Sequence, residues 1–512
     1  MSEKTIFLLF GIAACLLIVG CLPVTAADAG YFSGGMGTAE DPYLIATPAD
    51  LMNLSWAVNN WAEYGRYAGL AYVVTAPIDM SGISEWEPIG VRDYTFPTNN
   101  YSIFDFHGVF NGNYQPITGL SGTAGEGSGL FYQTSGSVLK NIRLENISAE
   151  KVGLISYASQ TQIENCSFSG SLLGNSVGGL MNSGNFCTIV NCSVTGSVTG
   201  NYAAGGIALT LRDTTVKNCI VSAAIESDRP MPDDGRLRDA VEGTGGLFGH
   251  TMACTVEDSF FAGTVRSEGA HVGGLVGMSI DDSYLRCGSA GDGEGERCVG
   301  GLAGYADKTT FSDCFFAGNV HAAESVSGGF VGKADPLVSL IRCYTAGGQV
   351  SGQCSVGGIA GWMEEGTVED CLILHQHIAG SVNVSAVIGR EDTRWPVVVR
   401  NTGVWGDMVV AGRDGVLNYS HGVVPVSSAD VWNVPPETGG WAEFSSEIWK
   451  QTNTDSYRLL VPDASPEMVM PDVRYLNSSA VPFQKTESSF PLTGLCTGFC
   501  LLGFLIWRRD RR

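Results

Sequence analysis

The sequence predicts an all-β chain folded as a parallel β-helix, a solenoid of about ten coils. Three observations carry that reading. Glycine supplies 68 of the 512 residues, well above the usual share and without a Gly-X-Y period, which calls for many close turns. A Gly-Gly-apolar-X-Gly unit recurs at a spacing of about 27 residues. The stretch between copies lacks the 3.6-residue period of a helix and carries short β-branched and aromatic runs ending in glycine, such as Val194 to Val198.

The repeat is clearest when the second glycine of each unit is set to zero. Clear copies begin at Gly246, Gly274, Gly301, Gly329 and Gly358, and degenerate ones at Gly129, Gly153, Gly179 and Gly206, with a remnant at Ala386. Ten residues on stands an apolar column that includes Leu139, Ile163, Ile189 and Val216. Thirteen residues on stand Cys166, Cys192, Cys219, Cys287, Cys314 and Cys371, with Cys343 one place late and Ile142 and Ser259 in the same column. In a stacked solenoid, one column is one environment, and like residues touch. A column that also accepts serine and isoleucine reads as a buried stack of reduced thiols. One or more disulfides, or a metal tape, are the alternatives. The flanking glycines are expected to supply bends.

Twelve residues past zero runs a polar column: Asn141, Asn165, Asn191 and Asn218, then Asp258, Arg286, Asp313, Arg342 and Asp370. The first four predict an asparagine ladder. The last five alternate in sign, which predicts a charge ladder on an outer face with each arginine between two carboxylates.

The Gly-Leu-apolar-Gly units resemble the GLUG motif of bacterial and archaeal surface proteins. The leading segment adds to the likeness, with Gly37 to Ile45, Asp50-Leu51, Ile78 to Gly82, Trp86 to Gly90 and Gly108 to Gly112. The resemblance spans roughly residues 34–460 and implies a repeat architecture at the cell surface. Some relatives with such repeats are immunoglobulin A metallopeptidases, but no His-Glu-X-X-His is present here, so that activity does not carry over.

Taken in order, residues 1–26 have the form of a signal peptide: Lys4, an apolar run from Ile6 to Leu22, then the small residues Val24 to Ala26. Lipidation of Cys21 is the alternative. Residues 27–126 read as an N-terminal cap with irregular first coils, including a short helix over Asp50 to Glu63. Asp50 is its expected N-cap, and Leu51, Leu54, Val58 and Trp61 share one face. Residues 127–389 are the regular coils, 390–461 a tryptophan-containing C-terminal cap, and 462–489 a proline-containing stalk. Residues 490–507 form an apolar segment long enough to span a bilayer, or a sorting tail exchanged for a lipid, and 508–512 are an arginine cluster expected to stay cytoplasmic. Either arrangement places the body outside the cell, tethered to the membrane.

A net charge of −23 excludes nucleic acid as a natural partner. The acids Glu164, Glu257 and Glu369 sit on coils that do not touch, and no nucleophile, base and acid set assembles by spacing. The insertion Glu226 to Glu242 is the candidate binding loop, through Asp228, Asp233, Asp234 and Asp239. No cofactor is expected. Calcium at Asp233-Asp234-Gly235 or over Asp292 to Glu296 is the alternative, although neither has an EF-hand spacing. His375 and His377 form a pair on one strand face. Glycosylation candidates are the sequons at Asn53, Asn100, Asn146, Asn383, Asn418 and Asn477. Those at Asn165 and Asn191 are expected to be stacked against neighbouring coils. The resulting expectation is a non-catalytic surface scaffold or adhesin, whose partner is a surface glycan or another surface protein. A carbohydrate-active enzyme is the alternative. So is a carbohydrate-binding protein, with Trp405, Trp432, Trp441 and Trp449 as candidate stacking residues.

Overall fold

A computed structural model describes residues 30–412, except 85, 94–101, 121–128, 229–242, 393, 395 and 407, together with the strands 423–426, 449–454 and 457–462. The fold is a right-through stack of parallel rungs, about twelve turns long. The sequence expectation of ten is low because stacking starts inside the leader. Tyr43–Ile45 and Ala71–Val74 are already paired rungs, and Val397–Arg400 adds another beyond the last glycine unit.

Each coil contributes to three faces, here called sheets I, II and III. The coil beginning at Gly179 shows the plan. Met181–Asn185 joins sheet II, Thr188–Val190 joins sheet I, and Ser193–Gly205 joins sheet III. Sheet I stacks 13 strands and sheet II ten, all parallel. Column residues meet in register, as in Leu139–Ile163–Ile189–Val216–Val256. These side chains are fully buried, so one apolar ladder runs the length of the core.

The corners on either side of sheet I explain two columns. Residues seven past the zero glycine, such as Gln160, Phe186, Asp213 and Lys308, have φ between 47° and 55°. Those of the polar column, Asn141 through Asp370, have φ between 49° and 56°. One left-handed residue turns the chain from sheet II into the three-residue strand of sheet I, and a second turns it out again. Asparagine and aspartate tolerate that conformation best among residues with a Cβ, which is why they fill most of the second corner. The polar column is therefore first a conformational requirement.

The glycines of the repeat are not bends, contrary to expectation. At Gly246 and Gly301 a Cβ would lie 2.0 and 2.2 Å from the carbonyl oxygen of the next coil's glycine. At Gly304 it would lie 2.4 Å from Val272 N, and at Gly332 2.7 Å from Gly304 O. The first glycine thus lets coils touch backbone to backbone. The last lets the strand leading into sheet II lie across its neighbour.

At the N-terminal end, helix α1 (Pro48–Asn59) is followed by the single turn α2 (Tyr64–Tyr67). The N-cap of α1 is Thr47, not Asp50. Asp50 is the third helical residue and closes a capping box with Thr47, while Pro48 occupies the first turn. Leu51, Leu54 and Val58 are buried as expected, but Trp61 lies past the helix end and is 68% exposed. Beneath α1, the rings of Phe32, Tyr43, Tyr67 and Tyr72 pack on one another and close the end of the core.

Among the described residues no helix is long and apolar enough to cross a membrane. Residues 1–26, 463–489 and 490–512 lie outside the described residues, as do the expectations placed on them.

Candidate functional site

The bonds of the polar corner all run one way: where two corner side chains bond, the donor is on the later coil and the acceptor on the earlier one. Asn141 Nδ2 donates to Asn111 Oδ1 at 3.0 Å, Asn165 to Asn141 and Asn191 to Asn165 at 3.1 Å, and Asn218 to Asn191 at 3.2 Å. The charged part follows the same direction. Arg286 grips Asp258 through Nε and Nη2 at 2.6 and 2.8 Å, Arg342 grips Asp313 at 2.8 and 2.7 Å, and Asn401 donates to Asp370 at 2.7 Å. The expectation of an arginine between two carboxylates is thus corrected to discrete pairs. Aspartate has no proton to donate back, so each one starts a new pair. Nor are the carboxylates on an outer surface: Asp258 and Asp313 are buried, and the half-buried guanidinium of the next coil covers each.

The seven cysteines of the column are buried, free thiols. Each Sγ contacts the carbonyl oxygen two residues earlier, at 3.3 Å for Cys166 and Cys192, and Cys287 N donates to Cys314 Sγ at 3.4 Å. Ser259 takes the same place with the same bonds, donating to Glu257 O and accepting from Cys219 N. Burial raises the Cys192, Cys219, Cys314 and Cys371 thiols well above their ordinary range. At those four positions burial suppresses thiolate chemistry.

Of the three acids weighed for catalysis, Glu257 and Glu369 have cationic neighbours. Glu257 lies 3.2 Å from Lys217 and 3.6 Å from Arg286, and Glu369 lies 3.7 Å from Arg400. Glu164 is half-buried between Lys140 and Val190 on the adjoining rungs. The column therefore brings cations to carboxylates and does not gather carboxylates together. In the candidate loop, Asp228 is exposed, while Asp233, Asp234 and Asp239 lie outside the described residues. Asp292 is engaged by Asn319, whose N and Nδ2 donate to its Oδ1 at 2.9 and 3.0 Å. Among the described residues no group of three or more ligating side chains could hold a metal ion.

The histidine pair separates. His375 is fully buried, and burial holds its pKa down to about 3. His377 is half-buried. Of the tryptophans named for sugar stacking, Trp405 packs half-buried on the core, and Trp432 and Trp441 lie outside the described residues. Trp449 begins an antiparallel hairpin with Tyr457–Pro462.

Three features escaped the sequence. The first is a buried polar knot in the column eight past the zero glycine, where other coils have Ser137, Thr161, Cys187 or Thr214. There Asp282 accepts from Cys254 N at 2.7 Å, Thr251 Oγ1 at 2.6 Å and Ser279 Oγ at 2.5 Å, and burial lifts its pKa to about 6. A lone acid in a column of small hydroxyls and thiols was the available signal. The second is a cation and aromatic ladder on sheet II, in the register Tyr305–Lys333–Trp362–Arg390. Lys333 Nζ lies over the Tyr305 and Trp362 rings and 2.7 Å from Asp335, and Arg390 covers Trp362. The third is an aromatic platform on the cap. Tyr31 stacks on Trp56 at 5.6 Å and 22°, and Trp56 remains 45% exposed. Asn53 Nδ2 donates to Tyr31 O at 2.7 Å and holds the pair in place.

No family model matches the chain. A protein of Evansella cellulosilytica with the provisional name Gly-rich membrane protein is 37% identical over 129 residues, which are 24% of this chain and 13% of that protein. A solved structure named IgA1 protease aligns at 15% identity with a TM-score of 0.35, over 52% of this chain and 21% of that one. Another, provisionally titled an immunoglobulin A1 protease from Bacteroides ovatus, aligns at 17% identity with a TM-score of 0.31, over 86% of this chain and 97% of that one.

Proposed function

We propose that the chain is a non-catalytic scaffold or adhesin of the GLUG type, a rigid rod held outside the cell and tethered by the apolar segment 490–507. The observation that carries this reading is the continuity of the stack. Sheet I runs unbroken through 13 rungs, a length of about 60 Å at ~4.8 Å per rung. The corner side chains bond along the rod, asparagine to asparagine and arginine to aspartate, so they stiffen it instead of facing a ligand. The name of the Evansella relative, a membrane protein, agrees with a surface location.

A second reading, carbohydrate binding without turnover, draws on the Trp56 ring, which is backed on one face by the half-buried Tyr31 and stays 45% exposed, as a ring that stacks on a pyranose face must be. One experiment separates these readings from an enzyme. Residues 27–485 are screened on a glycan array for both binding and cleavage, and intact cells are shaved with protease. The scaffold reading expects release by shaving and no polymer cleavage; cleavage of any polymer overturns it. Binding that Trp56→Ala abolishes would establish the second reading.

A further inference from the structure

The described sequons fall into two structural kinds, and the difference assigns a modification. Asn165 and Asn191 each donate through Nδ2 to the coil before and accept from the coil after. Asn53 spends its amide on Tyr31 O. In each of these three the nitrogen that would carry a glycan is engaged, and in the first two a sugar would have to intrude between rungs ~4.8 Å apart.

Asn146 and Asn383 share the left-handed backbone of Asn165 and Asn191, and the exposure of Asn191, but differ in the bonding of the amide and in lying inside a strand. Both are exposed, and neither side chain takes part in a hydrogen bond among the described residues. Both have left-handed backbone, with φ of 54° and 55°, inside a strand. Asn146 is the extra residue of a bulge: Leu144 pairs with Phe168 and Ile147 with Gly170, so two residues face Ser169 alone. Asn383 sits between Val382, paired with Cys354, and Val384, paired with Val356. The middle residues of the two sequons, Ile147 and Val384, are buried. The asparagine is thereby turned outward, and the serine two places on remains accessible, exposed at Ser148 and half-buried at Ser385.

We infer that Asn146 and Asn383 are acceptors of asparagine-linked glycan, and that Asn53, Asn165 and Asn191 are not. The inference rests on the extracellular placement proposed above. The co-reactant is an oligosaccharide linked to a lipid phosphate or diphosphate. The side-chain amide nitrogen bonds to the anomeric carbon, the bond from that carbon to the phosphate oxygen breaks, and the lipid phosphate leaves. The amide gives up one proton, and nothing is oxidised or reduced. Glycans there would project from the face of sheet III near both ends of the regular coils and leave the corner ladder clear.

The test is mass spectrometry of sequon peptides from the full chain purified from its natural host, before and after chemical deglycosylation, beside protease shaving of the same cells. Glycan mass on the Asn146 and Asn383 peptides is expected, with Asn53, Asn165 and Asn191 unmodified. Asn146→Gln and Asn383→Gln should each remove one glycan's mass from the intact protein. Unmodified Asn146 and Asn383 on protein that shaving releases would overturn this inference alone, as would equal occupancy of Asn165 and Asn191. Protein cut only after lysis would overturn it together with the surface reading.

Discussion

Arg286 closes both carboxylate oxygens of Asp258 on the preceding coil, at 2.6 and 2.8 Å, while Asp313 on the following coil is gripped by Arg342 instead. The pairing has a direction because the corner backbone repeats in register, so every side chain leaves it at the same angle. Among these residues only the later one carries the proton.

Removing Arg286 strands a buried carboxylate. Arg286→Leu should lower stability by about 1–3 kcal/mol, the cost of leaving a charged acceptor unpaired under a partly exposed donor. Arg286→Asn should lose less, since asparagine suits the left-handed corner and one amide bond can form, as Asn401 forms with Asp370. Double-mutant cycles from denaturant unfolding should find coupling of Arg286 to Asp258 and none to Asp313. Equal coupling to both would restore the continuous charge ladder.

Asp282 should make the solenoid less stable at neutral pH than in mild acid. Its pKa in the folded protein is about 6, raised by burial from an ordinary value of 3.8. The folded state therefore binds more protons between those values, and the contribution to stability falls as pH rises through that window, by up to about 3 kcal/mol. Asp282→Thr supplies the residue that neighbouring coils use, and Thr214 Oγ1 already accepts from Cys187 N as Asp282 accepts from Cys254 N. The variant should melt higher than the parent above pH 6 and lose that advantage by pH 4. A pH-independent difference in melting would rule out the titration.

His375 acts with the opposite sign. Its folded pKa, held near 3 by burial, lies below the ordinary 6.5. Unfolded chains take up the proton first, so stability is fully present above about pH 6.5 and is lost as pH falls, by about 3 kcal/mol at pH 4. His375→Leu, similar in volume, should flatten that acid limb in melts from pH 7 to 4. An unchanged acid limb would mean that His375 is not the group responsible.

Gly332 and Gly65 form a matched pair. A Cβ on Gly332 would meet Gly304 O at 2.7 Å and Val299 N at 2.8 Å, whereas one on Gly65 meets nothing within 4 Å. Gly332→Ala should cost about 1–3 kcal/mol through forced backbone separation. Gly65→Ala, in the short helix α2, should be neutral or stabilising by up to ~1 kcal/mol. Equal effects in chemical denaturation would count against close approach as the reason for the last glycine of the repeat.

The repeat was legible because a solenoid gives each column a single environment, so cysteine, asparagine and apolar columns each stood out at fixed offsets. The cap was less legible. Asp50 has the residue type of an N-cap, and the sequence alone does not separate it from Thr47, which holds that position three residues earlier. The helix also ends sooner than expected, at Asn59, where the backbone of Asn60 turns extended, and Trp61 is left outside the buried face. The left-handed corners were signalled by asparagine and aspartate, but Arg286 and Arg342 in the same column hid the signal under an apparent alternation of charge.

The sequence by itself determined the parallel solenoid, its period and which residues share a column, because those depend on spacing alone. Only the tertiary structure decided what each column does. Whether a glycine bends the chain or admits a neighbour's backbone depends on the distance between coils. Whether an arginine serves one carboxylate or two depends on the direction in which the corner points its side chains. Whether a sequon is free depends on the hydrogen bonds its amide makes with adjacent rungs. Each of these is a contact between residues about 27 positions apart, and spacing brings such residues together without fixing how they meet.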